Sequence, residues 1–374
     1  MYPKEEDYGF EKSEFADEET GRTIWRITNS ENEEVHTYYD RCPWSFDGRY
    51  ILFASANPND LSLQGNVRST QNGAVYLMDT QTYRRIKIAE RAFYHSHQGS
   101  EQVWNYKKNK VYFYLPDLKV GVINVRTNEI EPFKEPQYYR FFGLSPDGEK
   151  FVFDNIDSSK LEGRGIYIMN EDCSDIRLIA SAEELYRLSP YKDAFDKEKF
   201  YFGLSKWSPN GKYIATLIWV DSRTGSSIRG STVILSEDGA EKYWLSYVGH
   251  HHSFTSDSKK LIWGDWKDII HKSEPRITMI NRDGTDKHFV VDEPYAGHPV
   301  TDPSSNYILT SDDQGVVLID IKKRDAKRLC VFNPRFNQSH AGTHPHCAWN
   351  HNGTQIIYNS AQTGKSQLYV IPLK

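Results

Sequence analysis

The sequence predicts an all-β fold, a seven-bladed β-propeller whose last blade is closed by a strand from the N-terminus. Three observations lead there. A short strand, then Ser/Asn-x-Asp/Asn-Gly, then an aromatic-rich strand, recurs at roughly fifty-residue spacing, within the range of propeller blades. The 374 residues include 24 Tyr, 18 Phe and 9 Trp, a usage that favours strands. Finally, the last repeat stops one strand short, while an orphan strand stands ahead of the first.

The motif begins as Trp44-Ser45-Phe46-Asp47-Gly48 before Tyr50-Ile51-Leu52-Phe53. A degenerate copy follows at Trp104-Asn105-Tyr106-Lys107-Lys108-Asn109, then Leu144-Ser145-Pro146-Asp147-Gly148 before Phe151-Val152-Phe153. Trp207-Ser208-Pro209-Asn210-Gly211 is the clearest copy. Thr255-Ser256-Asp257-Ser258, Asp302-Pro303-Ser304-Ser305-Asn306 and Trp349-Asn350-His351-Asn352-Gly353 complete seven. Each is followed by further strands and polar turns, as at Val75-Tyr76-Leu77-Met78-Asp79 and Ile277-Thr278-Met279-Ile280-Asn281. Four antiparallel strands per unit is the layout of a propeller blade. The seventh unit ends at Gln367-Leu368-Tyr369-Val370-Ile371-Pro372, and Arg22-Thr23-Ile24-Trp25-Arg26-Ile27-Thr28 can supply its missing strand and remove a bare sheet edge. Residues 1–18 read as an acidic, loosely ordered lead-in, and residues 19–374 as one propeller. The stretch 182–199 is the candidate helical insertion.

A net charge of about -5 speaks against a nucleic-acid binder. The four cysteines (Cys42, Cys173, Cys330, Cys347) form no CxxC pair and read as buried free thiols of a reducing compartment. The first residues lack an apolar signal core and no run approaches a membrane span, so the expectation is a cytoplasmic chain without a membrane partner.

Propeller geometry turns the repeats into a site map. The inner strand of every blade enters from one face, so residues just upstream of each converge. Of 13 histidines, ten fall there: His36, His95, His97, His250, His251, His252, His298, His340, His344 and His346. Only His271, His288 and His351 fall elsewhere. Any single histidine is more often a packing residue; ten at one structural position point to a site. Neutral imidazoles bind first-row transition metals. Alternation along a strand would put His344 and His346 on one side, and His251, with His250 or His252 as substitutes, would add a third ligand. Zinc and manganese both suit such a set. Arg68, Arg164, Arg229 and Arg276 lie near the ends of loops on the same face, and guanidinium groups hold carboxylates bidentately. Tyr38, Tyr39, Tyr138, Tyr139 and Tyr201 suit sugar rings or blade packing.

The run Thr343-His344-Pro345-His346, the stretch from Glu19-Thr20-Gly21 to Phe53, and His251 with Phe254 resemble the oligogalacturonate lyase family, related in architecture to the TolB-type propellers. That resemblance implies a cytoplasmic, manganese-using, seven-bladed propeller that cleaves short pectin fragments by β-elimination, with His251, His344 and His346 as metal ligands. The metal expected is a divalent ion, manganese first, with zinc or calcium as alternatives; the partner expected is an acidic oligosaccharide. The chain departs from the family pattern twice. Ala341 stands where the family has a glutamine ligand, leaving His340, Gln338 or water for that place. The blade entry that resembles the home of the family's catalytic histidine reads Tyr201-Phe202-Gly203-Leu204-Ser205-Lys206. The base is therefore sought among His97, His95, Lys206 and Tyr201, with His97 foremost. Substrate contacts are expected from Arg164, which matches the family's substrate arginine, and from Arg229, Arg276, His298 and Tyr39. A non-catalytic propeller that grips a glycan or protein on this face is the alternative. No Gly-x-Ser-x-Gly elbow is present for a serine peptidase.

Overall fold

Four of the seven copies of the repeated motif close on themselves in the same way. In Ser45–Gly48 the serine hydroxyl lies 2.6 Å from Asp47 Oδ1, the Arg49 N–H donates to the same carboxylate, and the Gly48 N–H donates to Ser45 O. Ser145 with Asp147, Ser208 with Asn210 and Thr255 with Asp257 repeat that pairing. The fourth residue needs the left-handed region: Gly48, Gly148, Gly211 and Gly353 have φ of 69–74°. Where the glycine is missing, Asn109, Ser258 and Ser305 hold the same conformation at φ 55–62°. The turn chemistry, rather than glycine itself, is what repeats.

The computed structural model describes residues 9–64, 67–127, 129–131, 133, 139–155, 163–189, 192, 195–222, 227–245, 251–264, 276–295, 297–332 and 344–373. Seven antiparallel sheets follow one another along the chain, the blades of a seven-bladed β-propeller. By contact the chain divides into two units, Met1–Phe133 with Val300–Lys374, and Lys134–Pro299.

The first unit holds four blades. Blade one runs Glu33–His36, Tyr50–Ala56 and Val67–Asp79, with Arg85–His95 paired onto the last. Blade two runs Val103–Asn105, Lys110–Tyr114, Val120–Asn124 and Glu129–Glu131. Blade six runs Val300–Thr301, Tyr307–Ser311, Gly315–Asp320 and Asp325–Val331. Blade seven runs Ala348–Trp349, Gln355–Ser360 and Gln367–Pro372. The expected closure is present: the strand Thr23–Arg26 pairs antiparallel with Gln367–Pro372, Trp25 opposite Val370. A further strand, Ser13–Ala16, pairs onto Thr23–Arg26, so part of the stretch read as a loose lead-in is ordered sheet. Its acidic residues are used: Asp17 accepts from the Val331 N–H, and Glu11 grips the fully buried Arg85, which Glu34 holds from the other side at 2.7 Å. Composition alone did not reveal that these carboxylates have cationic or N–H partners.

The second unit holds blades three to five, with inner strands Tyr139–Leu144, Phe195–Trp207 and Ser253–Phe254. A helix does form at Ala182–Leu188, with Ser181 capping it by accepting from the Glu184 N–H. It ends well before residue 199, because residues from Phe195 onward already belong to blade four.

Apolar layers between adjacent blades form the core. Leu52, Val75 and Leu77 pack on Val111 and Phe113 between blades one and two; Ile51 and Phe53 pack on Ile357 and Val370 between seven and one. In the second unit Val152 and Ile166 pack on Phe200 and Ile214, and Ala215 and Ile234 on Leu261 and Trp263. Burying a side chain of this size contributes roughly 1.5–3 kcal/mol.

Candidate metal centre

In the first unit, three imidazoles come together. His97 reaches the group from the tight turn after strand Arg85–His95, where the Gly99 N–H donates to His95 O at 2.8 Å and Gly99 takes φ +63°. The His97 backbone N–H donates to His95 Nδ1 at 3.3 Å, which fixes the His95 ring beside the turn. His344 and His346 arrive just ahead of strand Ala348–Trp349. Ring centroids are 4.0 Å apart for His97 and His344, 4.8 Å for His97 and His346, and 5.5 Å for His344 and His346. One nitrogen from each lies within 4.8 Å of the others.

Strand alternation is not what joins His344 to His346. Residues 344–347 lie outside the strand, and His346 takes φ +44°, a conformation costly for a non-glycine residue. The segment is held by Asn359, fully buried on the next strand. Its Nδ2 donates to His344 O at 3.1 Å, its N–H donates to Pro345 O at 2.9 Å, and its Oδ1 accepts the His36 N–H at 3.1 Å. Sequence reading missed Asn359; the available signal was an amide following the apolar run Ile356-Ile357-Tyr358. Tyr38 and Tyr39 wall the group, the Tyr38 ring lying edge-on to His346 at 4.8 Å.

Burial keeps His344 and the nearby His36 and His95 neutral. It lowers His36 to about 3 and His95 and His344 to about 4, and for His344 the neighbouring His95 adds to the effect. Neutral imidazole is the form that ligates a metal. Three such nitrogens converging within ligand-to-ligand distances suit a divalent first-row ion, and histidine without thiolate fits manganese and zinc alike.

In the second unit His251 and His298 pack with ring centroids 3.9 Å apart, both buried, and His252 is fully buried beside them. Ser253 Oγ donates to Pro299 O at 2.7 Å, tying the two segments together. Lys206 Nζ donates to the His252 carbonyl at 2.9 Å. Arg164 is buried, and Arg276 lies over the Phe289 ring at 4.9 Å. Arg68, in the first unit, pairs with Glu33 at 2.7 Å. His250, His340, His271, Tyr138, Gln338 and Ala341 lie outside the described residues, as do the side chains of Tyr139, Tyr201 and Arg229.

Seven blades and a histidine-lined group of loop-borne imidazoles define the class: a β-propeller with a candidate metal centre. Solved structures give the comparison. The chain is similar to an oligogalacturonate lyase in complex with manganese, at 14% identity and TM-score 0.74, covering 100% of this chain and 98% of that one. It is similar also to an oligogalacturonate lyase from Vibrio parahaemolyticus, at 13% identity and TM-score 0.74, covering 99% of each. At such identities the likeness establishes the fold. No family model matches the chain, and no curated protein matches it.

Proposed function

We propose that this chain is a metal-dependent lyase that cleaves short uronic-acid oligosaccharides, of the oligogalacturonate type, by β-elimination. The observation that carries this reading is the convergence of His97, His344 and His346 in a fold shared with oligogalacturonate lyases. In this proposal those three residues hold a divalent ion, manganese before zinc or calcium, with His251 added as a ligand by resemblance alone. The bound ion supplies positive charge that neutralises the uronate carboxylate, which makes the C5 proton removable.

His97, first read as the base, is assigned here to the metal because its ring packs on both His344 and His346. Lys206 is then the preferred base. It stands near the end of the blade-four inner strand, in the stretch that resembles the home of the family's base, and the His252 carbonyl holds its amine. In its neutral form the Lys206 amine takes the C5 proton, the C4–O bond breaks, and the departing oxygen gains a proton. The His95 ring packs 6.1 Å from that of His97, while Arg164, Arg229 and Arg276 offer guanidinium groups to further carboxylates, and Tyr39 and Tyr201 offer ring faces to the sugars. The test is growth of the unsaturated product's ultraviolet absorbance on oligogalacturonates, with manganese supplied after chelation. No absorbance on galacturonate, glucuronate or rhamnose-linked uronides would sink the lyase reading and favour a glycan- or protein-binding propeller.

A further inference from the structure

The inner strand of blade four, Phe195–Trp207, carries a β-bulge. Gly203 pairs with Leu217 and Lys206 with Ala215, so Leu204 and Ser205 together face Thr216 alone. Leu204 sits at φ +55°, a strained conformation for leucine, and bulges of this kind re-aim side chains beside functional sites. The blade-three strand Tyr139–Leu144 presses against the bulge. A Cβ on Gly143 would lie 2.8 Å from Ser205 O, and Trp207 Nε1–H donates to Gly143 O at 3.1 Å.

The bulge turns the Ser205 hydroxyl onto the carboxyl of Asp154, with Thr216 Oγ1 2.7 Å away on its other side. Asp154 is fully buried, and its Oδ2 has no hydrogen-bond partner among the described residues. Of the charged groups on the elements around it, those whose side chains are described are engaged or set apart; the side chain of Arg140, on the strand Tyr139–Leu144, lies outside the described residues. Lys150, at the start of its own strand, pairs with Glu237; Arg164 precedes the neighbouring strand Gly165–Asn170; Lys206 donates to the His252 carbonyl. None of them bonds Asp154. The residue opposite Asp154 on that neighbouring strand is Ile166. A buried carboxylate with only a hydroxyl partner among the described residues is disfavoured, which favours the protonated form. Burial raises this carboxyl to about 7.

The three oxygens form a chain that can run in either direction. Ionised, Asp154 accepts from Ser205, which accepts from Thr216. Protonated, the acid donates to Ser205, which donates to Thr216. Ser205 stays bonded in both states, so a proton is gained or lost without opening the bulge.

We propose that Asp154 is a positioning residue for Lys206: as a protonated acid it pins the Ser205 bulge while adding no negative charge near the base. The assignment of Lys206 as base rests on the lyase reading above; the proton on Asp154 and the placement of Lys206 do not. Three measurements test it on the whole chain, with Asp154→Asn retaining shape without titration and Ser205→Ala breaking the chain. Wild type should show a protonated-carboxyl infrared band at neutral pH that Asp154→Asn lacks. The folded carboxyl titrates above its unfolded value, so stability relative to Asp154→Asn should fall as pH rises from about 4 to about 7. Labelling of the Lys206 amine, read by mass spectrometry, should rise several-fold in Ser205→Ala. A missing band in wild type, parallel pH–stability profiles, or unchanged Lys206 labelling would overturn the proposal. Wild type that cleaves no uronide, yet passes these three, would instead remove the lyase reading and leave Asp154's role standing.

Discussion

His97 and His344 lie with ring centroids 4.0 Å apart, one from the turn that leaves blade one and the other from the loop that enters blade seven. Nothing in their local sequences relates them. Closure of the last blade by the N-terminal strand Thr23–Arg26 lays the blade-seven strands against blade one, through the layer of Phe53, Ile357 and Val370.

Replacing His97, His344 or His346 by Ala should each remove bound metal, read by elemental analysis after dialysis against trace manganese. His97→Ala is the informative one. If His97 served as the base, this variant would keep a full complement of metal and lose only turnover.

Asn359→Ala releases the His344 carbonyl and the His36 N–H together, and leaves the backbone bond to Pro345 in place. Such supporting contacts are worth about 10–100-fold in metal affinity, and metal titration of the variant should show a loss of that size. Loss of the buried amide should also lower unfolding free energy by about 1–3 kcal/mol in urea. Wild-type affinity in a folded Asn359→Ala would show that the loop holds its shape unaided.

Acid should destabilise the metal-free protein through its buried imidazoles. His36 titrates at about 3 when folded and near the ordinary histidine value when unfolded. The unfolded state therefore binds more protons between those values. The stability that His36 contributes is complete above about pH 6.5 and is lost as pH falls towards 3. The difference in melting temperature between wild type and His36→Gln should shrink or reverse across that window. A constant difference would mean that His36 is charged in the fold.

Arg85 is buried between Glu11 of the N-terminal arm and Glu34 of blade one. Arg85→Ala strands both carboxylates, and breaking a buried charge set costs about 3–5 kcal/mol. Denaturant unfolding should record that loss. Deleting the arm through Thr28 should expose the edge of strand Gln367–Pro372 and produce concentration-dependent association, visible by light scattering. A monodisperse truncated chain would show that this edge is protected by other means.

The blade count, the strand that closes the ring and the loops bearing the histidines were all legible in the sequence. Turn chemistry repeats with the blade, strand patterning has a period of two, and an unpaired seventh blade demands a partner. His344 and His346 stood out because two imidazoles beside a proline are conspicuous in one short run. The tertiary structure alone decided which residues join them. His97 was read as a base and packs as a member of the imidazole group, since the direction of a ring on a tight turn depends on contacts across blades. It also decided that Asn359, silent in its strand, fixes the loop, and that His346 is held at a positive φ rather than in regular strand. Asp154 shows the same limit. It follows the apolar run Phe151-Val152-Phe153, and only the Ser205 bulge of the adjacent blade gives this buried acid its hydroxyl partner. Local pattern specifies elements through nearest-neighbour physics, whereas a site is an intersection of elements whose side-chain directions are set by packing.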